Sequence, residues 1–432
     1  MNNELSRRGM LAGTMGLGGA GLLTGCLGGG TPGGDGGNGN GGGGGGSVTL
    51  QSSIQDEGPK RALAEVVGDF DEYDVTVNSV ATEQFRAQLS TYLTSPEPPD
   101  VLTWYAGSVA NSYAREGLLL DVSELWEGDG PCANFSEALR ELSSDEDGNQ
   151  IFVPTNYYWW SIFYRRSMFE EWGISDIPTE WDDFLTMCED LEGQGITPLT
   201  NGIGATPWMA SGWFDYLNCR VNGPEFHREL LAGEHSFDST EVRDTMERYA
   251  EIVPFLHENQ TSWSDQEGAQ PLVDGSAAMY LVGAFVTEFV PSDVEEDLDF
   301  FSVPKIADVP SSEEAPTDGF FLAAGSQNPE GAMALASYLA TKEAQEQYIE
   351  VSGSSNLPTS PDVDTSQFSP LVQKGIETLN DTDEITQFFN RDSSDELQAT
   401  ADTALTQFIA NPDNVDQILA EWQSAAEQVF QS

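Results

Sequence analysis

The order of apolar patterns between residues 47 and 105 constrains the fold of this chain more than any other feature of its sequence. Strand-like and helix-like patterns alternate there, and the connections between them are short. A β-α-β-α-β order of this kind predicts an α/β fold in which a parallel sheet is covered on both faces. The strands are expected at residues 48–50, 75–80 and 100–105, and the helices after Pro59 and around residues 85–93.

Parallel sheets bind ligands at the carboxyl ends of their strands, where loops from neighbouring strands meet. The turn at residues 51–53 follows the first predicted strand, and Trp104 and Tyr105 end the third. We therefore expect these two segments to lie at a ligand site. Helical spacing at residues 334–339 and 405–409 predicts an α-rich C-terminal part.

The charge of the chain is strongly one-sided. Of 432 residues, 72 are Asp or Glu and 17 are Lys or Arg, which gives a formal net charge of −55. Nucleic-acid binding needs clustered Lys and Arg, so the composition excludes that class. A hydrophobic content of 39% excludes a disordered acidic tail. The charge exceeds what solubility needs and predicts a halophilic protein, with a surface kept acidic only for solubility as the alternative.

The first 46 residues carry signals for export. Arg7 and Arg8 precede a Gly/Ala/Leu-rich stretch that ends at Cys26, which predicts a twin-arginine signal peptide with a lipobox at residues 1–26. An uncleaved membrane helix is the alternative. Residues 27–46 are rich in glycine and predict a flexible linker. We therefore expect an exported protein at the cell surface, lipid-anchored at Cys26 to the outer face of the cytoplasmic membrane.

Seven stretches between residues 48 and 360 carry motifs that occur in the same order in one known family. They are Pro99-Asp100-Val101 with residues 113–119, Phe152-Val153-Pro154, residues 163–169 with 172–174, residues 178–184, residues 195–199, residues 274–279 with Gly283, and residues 328–348 with Leu357-Pro358-Thr359. This series resembles the carbohydrate-binding family of extracellular solute-binding proteins of ABC importers, which is maltose-binding-protein-like. With the acidic composition and the lipobox, the chain is similar to a haloarchaeal-type lipoprotein of that family.

The resemblance implies a two-lobed clamp of the periplasmic-binding-protein type, with discontinuous lobes and crossing hinge segments. The first lobe is expected at residues 47–155 plus 305–356, and the second at residues 156–304 plus 357–432. Such a protein binds a sugar or oligosaccharide between its lobes and delivers it to the ABC permease subunits in the membrane. The resemblance therefore implies transport rather than catalysis, with no cofactor and no metal site.

A sugar-binding cleft needs flat aromatic rings for the C–H faces of the ligand and polar side chains for its hydroxyl groups. Residues 156–160 and 207–214 supply both kinds. Asp318 is a further candidate, although Glu83 and Asp318 have the alternative interpretation of solvated carboxylates. The resemblance implies that the cleft is faced by Glu83 or Gln84, Trp104, Tyr158, Trp208 and Phe285.

Two alternatives to sugar transport stay open. A surface-anchored polysaccharide hydrolase needs only two carboxylates, and nothing among the 72 acidic residues singles out a pair. The mature chain has three His and neither an H-E-x-x-H nor a G-x-S-x-G pattern, so no catalytic set is identified. The same clamp holding a non-sugar solute is the second alternative, in which anions are disfavoured because few Arg are expected near the cleft.

The other Trp and Cys residues are assigned to structure. Cys132, Cys188 and Cys219 are an odd number, so one disulfide with one remaining thiol is open. The tryptophans assigned to the core or to packing are Trp126, Trp159, Trp160, Trp172, Trp181, Trp213 and Trp422.

Lowering the salt concentration is expected to destabilise the protein. At molar salt the Debye length is about 3 Å, whereas at 0.1 M it is about 10 Å, so repulsion among the excess carboxylates grows as salt is removed. The melting temperature, measured in potassium chloride between molar and about 0.1 M, should fall. A melting temperature that stays flat over this range would contradict the halophile prediction.

Overall fold

The computed structural model describes residues 46–55, 57–145, 147–353 and 355–431. The predicted signal peptide, Cys26 and nearly all of the predicted linker lie outside these residues, as does the side chain of Glu83. None of the described helices is long and apolar enough to cross a bilayer. The β-strands are β1 (Ser47–Ser52), β2 (Asp74–Ser79), β3 (Val101–Tyr105), β4 (Val153–Tyr157), β5 (Trp160–Arg165), β6 (Thr197–Thr200), β7 (Ala277–Gly283), β8 (Leu298–Phe301), β9 (Ser312–Glu314), β10 (Thr317–Leu322), β11 (Leu357–Pro358) and β12 (Glu384–Thr386). The α-helices are α1 (Glu57–Gly68), α2 (Thr82–Leu93), α3 (Ser108–Arg115), α4 (Glu137–Leu142), α5 (Arg166–Glu171), α6 (Trp181–Gly193), α7 (Met209–Asn222), α8 (Pro224–Leu231), α9 (Thr240–Ile252), α10 (Asp265–Asp274), α11 (Ser292–Glu295), α12 (Pro329–Leu339), α13 (Lys342–Ser352), α14 (Pro370–Asp381), α15 (Asp395–Ala410) and α16 (Val415–Phe430).

The first lobe is built on a sheet with the strand order β11-β4-β10-β3-β1-β2. β1 pairs in parallel with both β2 and β3, and α1 and α2 form the connections. Leu50 and Leu63 belong to the core on one face of this sheet, and Phe85 and Leu102 to the core on the other. The predicted parallel β-α-β-α-β unit, covered on both faces, is therefore confirmed. β10 and β4 continue the sheet in the antiparallel sense.

The second lobe is built on a sheet with the strand order β6-β7-β5-β8. Its core is continuous and rich in aromatic side chains, among them Phe163, Phe184 and Phe300. Every residue of α7 from Met209 to Arg220 is buried, so this helix lies within the lobe rather than on its surface. α15 packs against both α7 and α16, which confirms the predicted α-rich C-terminal part. The two sheets with their own cores give the predicted two-lobed α/β architecture.

Three connections within the described residues join the two sheets. β4 runs into β5 through Tyr158 and Trp159, β8 leads to β10 by way of β9 and then Ala315 and Pro316, and the chain leaves the first sheet again after β11. The Tyr158 N–H donates a hydrogen bond to the Pro316 carbonyl oxygen over 3.2 Å, so the first two connections lie side by side. β9 also pairs in parallel with β12. The lobe boundaries expected from the sequence stay a prediction.

The Trp and Cys residues assigned to structure lie in the core. Trp159, Trp160 and Trp213 are each at most 1% exposed, which confirms their assignment. Cys132, Cys188 and Cys219 are free thiols, so these three residues form no disulfide with one another. Burial raises the pKa of Cys132 to about 12. Also buried are Trp126, Trp181 and Trp422, and Trp172 is partly buried against the second core.

Buried ionisable side chains cluster where β9 packs against α7. Arg220 is paired with Glu313 over 2.8 Å and also donates to the Val303 carbonyl oxygen over 2.9 Å. The neighbouring Glu314 is 1% exposed, and neither of its carboxyl oxygens has a hydrogen-bond partner among the described residues. Burial, together with the charge of nearby Asp215, raises the pKa of Glu314 well above its ordinary value. The buried surroundings of Glu314 therefore favour the protonated form of its carboxyl group in the folded protein.

Replacement of Glu314 by glutamine is expected to weaken the pH dependence of folding stability. The pKa of Glu314 is raised in the folded state, so above the ordinary carboxyl range the unfolded chain binds fewer protons than the folded one. The wild-type protein should thus lose stability as the pH rises from 5 to 8, by up to about 1.4 kcal/mol per pH unit for this group. The glutamine of the Glu314→Gln variant releases no proton on unfolding, so the variant lacks this pH-dependent loss of stability.

Denaturant unfolding in molar salt across that pH range measures the slope. Glu343, which is exposed on α13, provides the matched control through Glu343→Gln. A Glu314→Gln slope equal to that of the wild type would mean that the buried carboxyl is ionised in the folded protein.

Candidate ligand-binding site

A cavity of about 260 Å³ lies at the carboxyl ends of β1 and β3. Asp318 also lines it, because β10 is antiparallel to β3 and brings its first residues to the same edge. A second cavity of about 210 Å³ is lined by Trp208 and Phe388, which belong to the core of the second lobe. The two cavities adjoin and form one site between the lobes. Their common lining residues are Thr82, Tyr105, Tyr158, Phe285, Glu288 and Arg391.

Aromatic rings form the wall of the site on the side of the second lobe. Tyr158 and Phe285 meet edge to face with ring centres 5.5 Å apart. Trp208 and Phe388 do the same at 5.6 Å, and the buried Trp160 contacts both Trp208 and Phe285 from behind. Tyr158, Phe285 and Trp208 are only partly buried, so their rings are available to a ligand. Edge-to-face packing fixes their orientation before any ligand binds.

Arg391 forms a network with polar groups at the floor of the site. Its Nη1 donates to Asp318 Oδ1 over 2.7 Å and to the Thr317 carbonyl oxygen over 3.2 Å, and its Nη2 donates to the Tyr158 hydroxyl oxygen over 2.9 Å. The guanidinium carbon lies 3.8 Å from the centre of the Tyr105 ring, a cation–π contact. Arg391 is only 6% exposed, yet its charge is balanced by Asp318.

The network leaves hydrogen-bonding capacity for a ligand. Burial raises the pKa of Tyr158, so its hydroxyl stays protonated. Because the Tyr158 oxygen accepts the Arg391 hydrogen, its own proton is directed elsewhere. Burial raises the pKa of Asp318, and the charge of Arg391 opposes that rise. Arg391 bonds to Oδ1 of Asp318, and Oδ2 is a second acceptor.

The structure brings most of the candidate residues from the sequence together. Tyr158, Phe285 and Asp318 line the first cavity, and Trp208 lines the second. Trp104 lines the first cavity as well, but it is 1% exposed and its ring is stacked between Phe85 and Tyr105, at 5.0 and 4.2 Å. Which of these side chains contact a ligand stays a prediction.

The other two candidates, Glu83 and Gln84, lie in α2. Gln84 is exposed and is not among the described residues that line either cavity. The Glu83 side chain lies outside the described part of the chain.

Sequence reasoning missed Arg391, the central cation of the site. Arg391 is the last basic residue of the chain, it follows Phe388-Phe389-Asn390, and few cations are present at all. A lone arginine that closely follows two aromatic residues in so acidic a chain is the sequence pattern that indicates a binding-site cation. Arg86 and Arg391 both line the second cavity, so two arginines lie at the site.

The comparisons with known proteins agree with this geometry. The chain belongs to the bacterial extracellular solute-binding protein family, whose sequence profile matches residues 54–346. An uncharacterised ABC transporter extracellular-binding protein of Pyrococcus horikoshii is 23% identical over 299 residues, which are 68% of this chain and 66% of that protein. A probable sugar-binding periplasmic protein of Rhizobium meliloti is 21% identical over 287 residues, 65% of each chain. The chain thus spans just under two thirds of the length of these relatives.

Solved structures of solute receptors are also similar. The bacterial solute receptor AcbH, described as having an exclusive preference for β-D-galactopyranose, is 26% identical with a TM-score of 0.83, covering 90% of this chain and 100% of that one. RafE of Streptococcus pneumoniae in complex with raffinose is 17% identical with a TM-score of 0.71, covering 88% and 98% of the two chains. This second likeness concerns the fold alone. The two-lobed fold of solute-binding proteins is thereby shown.

Proposed function

We propose that the protein is the substrate-binding component of an ABC importer, which binds a sugar or oligosaccharide between its lobes and delivers it to the membrane permease. One observation carries this proposal: a single interlobe site combines partly exposed aromatic rings with the Asp318–Arg391–Tyr158 network. Aromatic rings match the C–H faces of a sugar, and the network matches its hydroxyl groups. The sugars described for similar receptors support the same class of ligand.

The size of the site favours a short ligand. The two compartments, about 260 and 210 Å³, are each below the roughly 300–1,000 Å³ of common small-molecule pockets. A ligand of one or two sugar rings matches that space. Trp208, Tyr158, Phe285 and Asp318 are the proposed contacts from the sequence set. No observation on the described residues favours the hydrolase alternative.

A thermal-shift screen in molar salt tests the class of ligand. A solute that binds only the folded state raises the melting temperature by mass action. The panel contains D-galactose, D-tagatose, xylo-oligosaccharides, chitin oligosaccharides and raffinose, with glutamate and spermidine as non-sugar solutes. A shift with glutamate or spermidine and with none of the sugars would overturn the sugar proposal, and sugar products that accumulate with time would reveal a hydrolase.

Replacing Trp208 by alanine is expected to weaken binding of the sugar found in that screen. Loss of a stacking aromatic ring at a buried binding site typically costs about 2 kcal/mol or more, which is about 30-fold in Kd. Trp104 is the comparison residue, because its ring is buried between Phe85 and Tyr105. The Trp104→Ala change should cost about 3–5 kcal/mol of folding stability.

Calorimetric titration combined with melting of the ligand-free protein separates the two effects. Trp208→Ala should lower the ligand-free melting temperature much less than Trp104→Ala does, because the Trp208 ring is only partly buried. If its melting temperature instead falls as far as that of Trp104→Ala, the Trp208 ring belongs to the packing and not to the ligand site.

Export and lipid anchoring form the second part of the proposal, supported by Arg7-Arg8 and Cys26. The protein is proposed to leave the cell by the twin-arginine route and to carry a lipid at Cys26, with the lobes divided at residues 47–155 plus 305–356 and 156–304 plus 357–432. Cys26→Ser is expected to release protein to the medium or to leave it unprocessed. Membrane fractionation measures this, and an equal membrane-bound fraction for wild type and variant would exclude the anchor.

A further inference from the structure

Two of the connections between the lobes converge on the side chain of Arg391. This residue lies between β12 and α15, in the C-terminal part of the chain that packs on the second lobe. Its guanidinium group bonds to Tyr158 in the β4–β5 connection and to Thr317 and Asp318 at the end of the β9–β10 connection. Its carbonyl oxygen accepts a hydrogen bond over 3.0 Å from the N–H of Ser108, the first residue of α3 in the first lobe. Arg391 therefore joins three parts of the chain that are distant in sequence.

The geometry of a guanidinium group makes this arrangement directional. Its N–H donors lie in one plane at fixed angles, so bonds from Nη1 and Nη2 set the relative positions of the two acceptors. Tyr105 covers the face of that plane at 3.8 Å and restricts its rotation. The Tyr158 hydroxyl and the Asp318 carboxylate are consequently held beside each other by a shared partner.

We infer that Arg391 is a positioning residue for the ligand site, one that orients the Tyr158 hydroxyl as a donor and the Asp318 carboxylate as an acceptor for the solute. This role rests on the proposed function, which it deepens. A fixed donor next to a fixed acceptor matches a solute with neighbouring hydroxyl groups, in which one hydroxyl accepts from Tyr158 and the next donates to Asp318. Arg391 acts through these two side chains and does not itself contact the solute.

A double-mutant cycle between Arg391→Lys and Tyr158→Phe tests the inference. Lysine keeps a positive charge beside Asp318 but lacks the planar fork. The probe is the panel solute that gives the largest melting shift, and the measurement is its Kd by calorimetric titration. Arg391→Lys is expected to weaken binding about tenfold in the wild-type background, and about threefold or less when the Tyr158 hydroxyl is already absent. Equal factors in both backgrounds would show that Arg391 contacts the solute independently, which overturns the inference.

The ion pair between Arg86 and Asp395 provides a matched control. It also joins the lobes, from α2 to α15, with an N–O distance of 3.4 Å, and Asp395 does not line either cavity. Asp395→Asn should act independently of Tyr158→Phe. If both cycles show the same coupling energy, the coupling reflects closure of the lobes in general, and the proposed positioning role of Arg391 is wrong.

Two further arms keep the test decisive. If the Arg391→Lys variant does not fold, the cycle uses Arg391→Gln in an Asp318→Asn background. This pair of changes leaves no lone buried charge. The same non-additivity with Tyr158→Phe is expected. If glutamate or spermidine proves to be the only solute that binds, the proposed sugar function fails, and the cycle measured with that solute still decides the role of Arg391.

Discussion

The passage of the backbone between the two sheets is the constraint on which the ligand site depends. β4 continues into β5 after only two residues, and the β9–β10 connection is hydrogen-bonded to that crossing through Tyr158 and Pro316. Because both crossings lie at the edge where β1 and β3 end, side chains from separate parts of the chain meet at one floor. Tyr158 and Asp318 are there because of the topology, and Arg391 ties them together. The polar part of the site therefore combines the β4–β5 connection, the first residues of β10 and the segment before α15.

Because basic residues are scarce in this chain, the positions of its buried arginines are informative. With 17 basic residues against 72 acidic ones, most carboxylates have no basic partner and depend on water and salt for screening. Arg220 and Arg391 are nevertheless each only 6% exposed, and each is paired with a carboxylate, Glu313 and Asp318 respectively. Buried pairs of this kind are screened little by salt, and loss of one partner leaves a costly lone charge. Both pairs lie beside the β9–β10 connection, so the buried cations are concentrated where the lobes are joined.

Local sequence patterns predicted the parts of this structure whose apolar periodicity is set by burial on one face. The parallel unit of the first lobe and the helices α12 and α15 belong to this group. Trp104 and Tyr105 show what local patterns leave open, because the packing of α2, a separate part of the sequence, determines which of the two neighbouring rings is covered. Phe85 of α2 stacks on Trp104 and leaves Tyr105 to Arg391. The β9–β12 pair was missed because these three-residue strands carry glutamates and no apolar alternation, and β9 is held by its contact with α7.

Separate anchoring of the polar and aromatic groups has a consequence for selectivity. The polar groups proposed for ligand hydroxyls, the Tyr158 hydroxyl and the Asp318 carboxylate, are tied to each other through Arg391. Trp208, by contrast, packs against Trp160 and Phe388 in the core of the second lobe. A change at Trp208 would thus alter the width of the second cavity while leaving the bonds from Arg391 to Tyr158 and Asp318 in place. In the proposed site, recognition of the hydroxyl pattern and recognition of ligand size are then carried by different residues. Substitutions of Trp208 can shift the preferred ligand length without disturbing the Asp318–Arg391–Tyr158 network that is proposed to bind the ligand hydroxyl groups.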